Sequence, residues 1–123
     1  MNTEIKSHKD LTVWQKSIDL VEKIYRCTER FPRQEIYGLA TQMRRAAVSI
    51  SSNIAEGRSR GTRKDFAHFL HMAFGSTSEL ETQLVIARRL RIGQSQDVAS
   101  AETLLLEVSK MLRAMITKLE AKS

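Results

Sequence analysis

Cysteine and proline are almost absent from this chain of 123 residues, which contains one of each. The single cysteine, Cys27, excludes an internal disulfide and a zinc site built from cysteines, and it fits a reducing compartment. No apolar run approaches the roughly 18 residues that a membrane-spanning helix needs. The N-terminal residues are polar and lack the apolar stretch of a secretion signal, so we expect a cytoplasmic protein.

Aromatic residues and glycine are also scarce, at 6% and five residues respectively. No segment alternates apolar and polar residues in the manner of a half-buried strand. Apolar residues instead recur at helical spacing in four successive segments. The sequence therefore predicts an all-α protein.

The first helix is predicted to begin near Thr12 and to end before Pro32, because a proline pushes the preceding residue out of the helical region. Thr12 and Gln15 have the spacing of a capping box. Asp10 is the competing N-cap. The apolar stripe of the first helix is predicted to be Trp14, Ile18, Val21, Tyr25 and Thr28.

Glycine, threonine and serine mark the ends of the other three helices. These are predicted to run from about Glu35 to Glu56, from Thr62 to about Ile92, and from Ser95 to about Leu119. The end residues are predicted to act as follows: Gly57 follows the second helix in a left-handed conformation, Thr62 caps the third, Gly93 closes the third, and Ser95 caps the fourth.

Four helices with short connections predict an up-down-up-down antiparallel four-helix bundle. We expect one domain over residues 1–123, with an ordered core at about 10–120 and frayed residues at 1–9 and at the end of the chain. The residues predicted to be buried in the bundle are Leu39, Ile50, Phe69, Leu80, Leu84, Leu105 and Leu112.

The second and third helices have long stretches without a formal charge, AAVSISSNIA and FAHFLHMAFGSTS. A helix that is apolar or small on every face is buried on more than one side. We therefore predict self-association, and the alternative is a mildly apolar monomer surface. The predicted interface residues are Val48, Ser52, Ala55 and Gly75.

Three segments together resemble the four-helix-bundle proteins encoded in intervening sequences of bacterial 23S rRNA genes. They contain the strings QMRRAA, SNIAEG and GSTSELETQL. The resemblance implies a four-helix bundle that assembles into a ring-shaped homopentamer and has no established enzymatic activity. The fold is also similar to the accessory protein of diversity-generating retroelements, which associates with a reverse transcriptase and is thought to engage nucleic acid.

No catalytic or nucleotide-binding motif is present, so we expect no enzymatic activity and no cofactor. His68 and His71 follow Asp65 on one helix face, but the second ligand motif of a di-iron bundle is missing. A zinc site at these histidines is the weaker alternative to two polar residues packed among phenylalanines, and we expect no metal. Cys27 is interpreted as a packed thiol.

The basic residues carry more functional information because they cluster in a chain of net charge +6. Arg58, Arg60, Arg63 and Lys64 lie where the third helix begins, a position that favours anions. The other candidates are Arg88, Arg89 and Arg91 at the far end of that helix, and Arg44 and Arg45 between the two clusters along the second helix. The alternative is a solvated surface with salt bridges to Glu56, Asp65 and Glu79.

The leading functional prediction is a non-catalytic, oligomeric adaptor that binds RNA or DNA with little sequence specificity. The alternative is a protein-interaction scaffold, for example for a reverse-transcriptase-like partner. A metal-dependent enzyme that uses His68 and His71 is the third and weakest reading.

Overall fold

Four long helices pack side by side in the computed structural model, which describes residues 7–121. They are α1 (Thr12–Glu29), α2 (Thr41–Ser59), α3 (Arg63–Arg89) and α4 (Ser95–Glu120). Each helix contacts the next along the chain, and α4 closes the bundle against α1. No strand occurs among the described residues, and the predicted all-α four-helix bundle is confirmed.

Side-chain pairs between helices show that neighbours run in opposite directions. Lys16 near the start of α1 meets Glu107 at 2.7 Å, and Arg30 just after α1 faces Asp97 at 3.7 Å. The same reversal relates α3 to α4 through the pairs His71–Glu120 and Arg88–Glu102. We call the end where α1 and α3 begin the Arg63 end, and the opposite end the Gly93 end.

The buried face of α1 is one position away from the predicted stripe. Val13, Leu20, Ile24 and Cys27 are buried, and Tyr25 is 40% exposed. The predicted Trp14, Ile18 and Val21 are half-buried at the border of this face, and Thr28 is buried as predicted. The face includes Ser17, whose hydroxyl donates to the Trp14 carbonyl at 2.6 Å, so a small polar residue can occupy a core position.

Five of the seven predicted core residues are buried, namely Ile50, Leu80, Leu84, Leu105 and Leu112. Leu39 is half-buried and packs against the core from its edge. Phe69 is also half-buried, because its ring lies beneath the Arg60 guanidinium near the surface.

A short turn with its own capping residues precedes α1. Ser7 and Asp10 cap each other around a 3-10 turn at His8–Asp10, and Leu11 is the N-cap residue of α1. Thr12 and Asp10 are therefore not the N-cap of this helix. The expectation of frayed ends falls outside the described residues for 1–6 and 122–123, whereas Ser7 to Asp10 form this turn.

Of the predicted starts of the other three helices, one is confirmed and two are corrected. Thr62 caps α3, since its hydroxyl accepts from the Asp65 N–H at 3.1 Å. Ser95 is the first residue of α4, and Gln94 takes the N-cap position without a side-chain hydrogen bond. α2 begins at Thr41 and not near Glu35, because a 3-10 turn and a π-helical turn at Ile36–Ala40 precede it.

Gly57 does not end α2, which continues to Ser59. A Cβ at Gly57 would lie 2.7 Å from the Cβ of Phe69, so the absent side chain lets α2 approach α3 closely. In the connection between α2 and α3, the glycine with positive φ is Gly61, at +84°.

The α3–α4 connection contains two residues with positive φ, Arg91 at +56° and Gly93 at +79°. The N–H of Ile92 donates to the Ala87 carbonyl at 2.8 Å, and the N–H of Arg91 donates to the Arg88 carbonyl at 3.2 Å. This is a Schellman ending with arginine at the left-handed position. α3 therefore ends at Arg89, before the predicted Ile92, and Gly93 lies against the ring of Phe31.

Candidate nucleic-acid interface

The start of α3 brings backbone and side-chain positive charge to one place. Thr62 caps the helix, and the first-turn N–H groups give this end a partial positive charge. Arg63 and Lys64 follow directly and are exposed. Across the described residues, no carboxylate lies within ion-pair distance of either side chain.

Three adjoining grooves surround Arg63, and together we call them the Arg63 groove. Their volumes are about 580, 320 and 200 Å³, and Arg63 and Leu119 line all three. The cationic side chains along them are Arg58, Arg63, Lys64 and Lys118, with His68 and His71 nearby. The apolar lining comes from Leu11, Phe66, Ala67, Met115 and Leu119.

Lys118 is a further cation at this site, and it is not part of any charge cluster in the sequence. It lies in the last turn of α4 and lines the groove with Arg58 and Arg63. The predicted topology is sufficient to place Lys118 at this site, because the fourth helix of an up-down-up-down bundle ends beside the start of the third.

Arg60 belongs to the predicted cluster but turns toward α2. Its Nε donates to Glu56 Oε2 at 2.8 Å, one helical turn away, and its guanidinium lies 5.0 Å from the centre of the Phe69 ring. This is the Glu56 salt bridge foreseen in the alternative interpretation. An exposed ion pair of this kind contributes little to stability. It nevertheless neutralises part of the positive charge that Arg60 offers to a ligand.

The two histidines lie on the outer side of α3 and have different partners. His71 Nε2 lies 2.8 Å from Glu120 Oε2, which joins α3 to the end of α4. His68 meets the edge of the Phe69 ring, with 5.2 Å between centroids. Between residues 7 and 121, no three His, Cys, Asp or Glu side chains form a group that could hold a metal ion. The expected absence of a metal stays a prediction.

The second basic cluster lies at the Gly93 end. Arg88 Nε donates to Glu102 Oε2 at 3.4 Å, while Arg89 and Arg91 are exposed. α3 has 27 residues, so at about 1.5 Å per residue its two ends are roughly 40 Å apart. One short anionic ligand therefore cannot reach both clusters of the same chain.

Arg44 and Arg45 lie in the first turns of α2, on the side of the bundle's middle nearer the Gly93 end. Arg44 donates from Nε to Thr28 Oγ1 at 2.8 Å, and its guanidinium stacks 4.6 Å above the Tyr25 ring. These contacts fix Arg44 to α1. Arg45 is exposed.

Three of the four predicted interface residues are exposed on neighbouring helices. Val48 and Ser52 on α2 and Gly75 on α3 are exposed, and Ala55 is half-buried. A Cβ built at Gly75 would meet nothing within 4 Å. A hydrogen bond of 2.9 Å between Ser49 and Ser76 joins the two helices beside these residues. We call the surface of Val48, Ser52, Ala55, Met72 and Gly75 the α2–α3 face.

Much of the uncharged sequence in α2 and α3 is used inside the bundle. Ala46, Ala47, Ile50, Ser51 and Ile54 of the AAVSISSNIA run are buried. Gly57 also draws α2 against α3, which widens the buried side of both helices. Outside the α2–α3 face, the residues of these runs that are exposed are His68, His71 and Ser78.

Cys27 is buried, and burial raises the pKa of its thiol to about 11, with the nearby Asp97 carboxylate acting in the same direction. A nucleophilic cysteine needs the opposite shift. The thiol therefore packs in the core.

None of the helices between residues 7 and 121 combines the length and the apolar character needed to cross a bilayer.

Two comparisons match this chain to known proteins. The family model described as 23S rRNA-intervening sequence protein matches residues 9–114. A crystal structure of a protein of unknown function from the S23 ribosomal protein family of Bacteroides thetaiotaomicron is similar over 85% of this chain and 98% of that one. Its TM-score is 0.76 and its sequence identity is 25%. No curated protein matches this chain.

Proposed function

The chain belongs to the 23S rRNA-intervening sequence protein family, and on this premise we propose that it is a non-catalytic, oligomeric, cytoplasmic adaptor that binds RNA or DNA. The observation that supports binding is the pair Arg63 and Lys64, which are exposed at the positive end of α3 and have no carboxylate partner between residues 7 and 121. Phosphate oxygens are the ligands that such a position attracts.

Contacts of this kind position a nucleic acid without reading its sequence. Arg63, Lys64 and Lys118 come from helix ends and line an open groove. Sequence is read by side chains on an element that enters a groove of the duplex, whereas phosphate contacts are common to all sequences. We therefore propose binding with little sequence specificity.

The proposed assembly is a homo-oligomer that uses the α2–α3 face. Val48 is 40% and Met72 47% exposed, and Gly75 leaves room for a neighbouring helix to approach closely. We propose the homopentameric ring that the family resemblance implies. In such a ring, the four basic residues predicted at the Arg63 end become about twenty, and linked weak contacts strengthen one another.

A pair of double variants tests the binding site. Arg63→Gln with Lys64→Gln removes two charges at the Arg63 end, and Arg89→Gln with Arg91→Gln removes two at the Gly93 end. We expect the first variant to bind a labelled single strand at least about tenfold more weakly at low salt, because each lost phosphate contact weakens binding. We expect the second to lose less. If both variants bind like the parent, the basic residues are ordinary solvated surface and the proposal is wrong.

Sedimentation of Val48→Glu tests the assembly. A carboxylate buried in the interface without a partner is strongly unfavourable, so this variant should dissociate. Thr103→Glu is the matched control, because Thr103 is exposed on α4. A parent protein that sediments as a monomer at micromolar concentration would contradict the proposed oligomer.

The second candidate function is a protein-interaction scaffold for a partner such as a reverse-transcriptase-like protein. The observation that favours it is exposed apolar surface away from the Arg63 end: Tyr37 is 95% and Leu90 is 66% exposed. If the parent retains neither RNA nor DNA at about 50 mM salt, where phosphate contacts are strong, the scaffold function is the better account.

A further inference from the structure

We propose that the Arg63 groove holds an unpaired nucleotide, with the base against its apolar floor and the neighbouring phosphates against its cationic rim. This inference rests on the proposed function and makes it more specific, since it names single-stranded nucleic acid as the ligand. The part of the groove concerned has a volume of about 320 Å³ and is lined by residues from all four helices or their flanking turns.

The floor of this part of the groove is apolar. Phe66, Met115 and Leu119 are half-buried, pack against the bundle core and still line the groove, and Leu11 completes it from the start of α1. A nucleobase is flat and has faces that stack well on aromatic and apolar side chains, whatever its identity. The floor therefore suits a base without selecting one.

The rim of the same groove is cationic. Arg58, Arg63 and Lys118 approach it from the end of α2, the start of α3 and the last turn of α4. Lys64 lies alongside, on the adjoining part of the groove. The acid that lines the adjoining part, Glu120, is engaged with His71 at 2.8 Å. An apolar floor within a cationic rim is complementary to one nucleotide, which joins an apolar base to anionic phosphates.

The shape of the site distinguishes an unpaired nucleotide from two other anionic ligands. A base inside a duplex has both faces stacked on its neighbours, so only the two terminal pairs of a duplex can offer this groove a base face, whereas every base of a single strand can. An acidic amphipathic peptide helix requires a groove for anchors at several successive turns. The floor here is four side chains at one end of the bundle, contributed by α3, α4 and the residue before α1, and not a row along one helix.

The test compares three labelled probes of twelve nucleotides by fluorescence anisotropy at about 50 mM salt. The probes are oligothymidylate, an abasic strand of the same length and phosphate number, and a blunt duplex. Base stacking on protein side chains is a substantial share of single-strand affinity. We therefore expect the parent to bind oligothymidylate at least about fivefold more tightly than the abasic strand.

Two leucine variants on α4 locate the base contact. Leu119→Ala should lower the oligothymidylate-to-abasic ratio, because it removes part of the floor that the base contacts and none of the cationic side chains. Leu106→Ala is the matched control, because Leu106 is 53% exposed on the same helix and does not line the Arg63 groove. Circular dichroism checks that each variant is folded, and Met115→Ala replaces Leu119→Ala if that variant unfolds.

The outcomes separate this inference from the proposed function. If the parent binds oligothymidylate and the abasic strand equally, with affinities that fall as salt rises, the inference is wrong and phosphate binding stands. A duplex that binds as tightly as oligothymidylate also overturns the inference. If none of the probes binds but a twelve-residue peptide of glutamate and leucine does, the inference and the proposed function are both wrong.

Discussion

Replacing Gly93 with alanine is expected to lower the free energy of unfolding by about 3 kcal/mol, for two separate reasons. Gly93 has φ of +79°, where a side chain is strained. A Cβ there would also lie 2.6 Å from Cε1 and 2.7 Å from Cδ1 of Phe31. Phe31 is 94% buried, being only 6% exposed, so its ring has little room to move away.

The sizes of the two effects can be taken separately. The left-handed backbone costs a residue with a side chain about 1–2 kcal/mol. Forcing an extra methyl group into packed surroundings costs about 1–3 kcal/mol. Alanine also has fewer backbone conformations than glycine in the unfolded chain, which raises the free energy of unfolding by about 0.4–1 kcal/mol. The expected net loss is therefore about 3 kcal/mol, with overlap against Phe31 the larger part.

Denaturant unfolding followed by circular dichroism at 222 nm, a far-ultraviolet helix signal, measures this loss. The same substitution in a Phe31→Leu background separates the two effects, because the smaller side chain relieves the overlap but leaves the strained backbone. There Gly93→Ala should cost only about 1 kcal/mol. A loss of equal size in both backgrounds would refute the role of the ring, and no loss in either would refute the reasoning about this connection.

Four further substitutions or measurements follow from the same structure. Arg91→Gly should raise the free energy of unfolding by about 0.5 kcal/mol, since Arg91 has φ of +56°; a decrease would contradict the Schellman ending. Gly57→Ala should lower it by about 1–2 kcal/mol, because α2 must move away from Phe69; an unchanged midpoint would contradict the close approach. Leu105→Ala should lower it by about 2–5 kcal/mol, as for other buried leucines, and a loss below that range would mean that the site is not a packed core. Cys27 should resist a thiol reagent in the native protein and react on unfolding. Because the pKa of the folded thiol, about 11, exceeds the ordinary value of 9.0, the contribution of this thiol to stability is complete below pH 9 and is lost between pH 9 and 11. Rapid labelling of the native protein would contradict the burial of the thiol.

The number, order and direction of the helices could be predicted from the sequence because apolar spacing is a direct record of which face is buried. Burial of Ile50, Leu84 and Leu112 followed from that spacing. The buried face of α1 could not be placed correctly in this way. Ser17 is buried there although it is polar, so a stripe drawn through the largest apolar residues lies one position too far along.

The ends of the helices depended on contacts that the sequence does not reveal. Gly57 resembles a helix-ending glycine, but it serves a close approach to Phe69, which is distant in sequence. At the end of α3, the left-handed position is occupied by Arg91, a residue type with no preference for it. Capping signals were reliable only at Thr62, where the hydroxyl has a free backbone N–H to accept from.

The candidate site could be predicted as a set of charges but not as a surface. Clustering identified Arg63 and Lys64, which the structure leaves exposed. It could not decide between an Arg60 open to a ligand and the Glu56 salt bridge of the alternative interpretation, and it could not show that Arg44 is held by Thr28, because those contacts depend on side-chain geometry. The groove joins the ends of three helices and the start of α1, so its apolar floor became visible only in the folded chain.

The salt dependence of single-strand binding tests most directly whether the cations at the Arg63 end bind phosphates. Affinity for oligothymidylate should fall linearly on a log–log plot as salt rises from about 50 to 200 mM, with a slope near −0.7 for each phosphate contacted. Removing the charges of Arg63 and Lys64 should make that slope shallower by about 1.4 per chain that contacts the strand, and removing those of Arg89 and Arg91 should change it less. An affinity that does not depend on salt, or a slope that is the same in the parent and the Arg63 and Lys64 variant, would contradict phosphate binding at this end of the bundle.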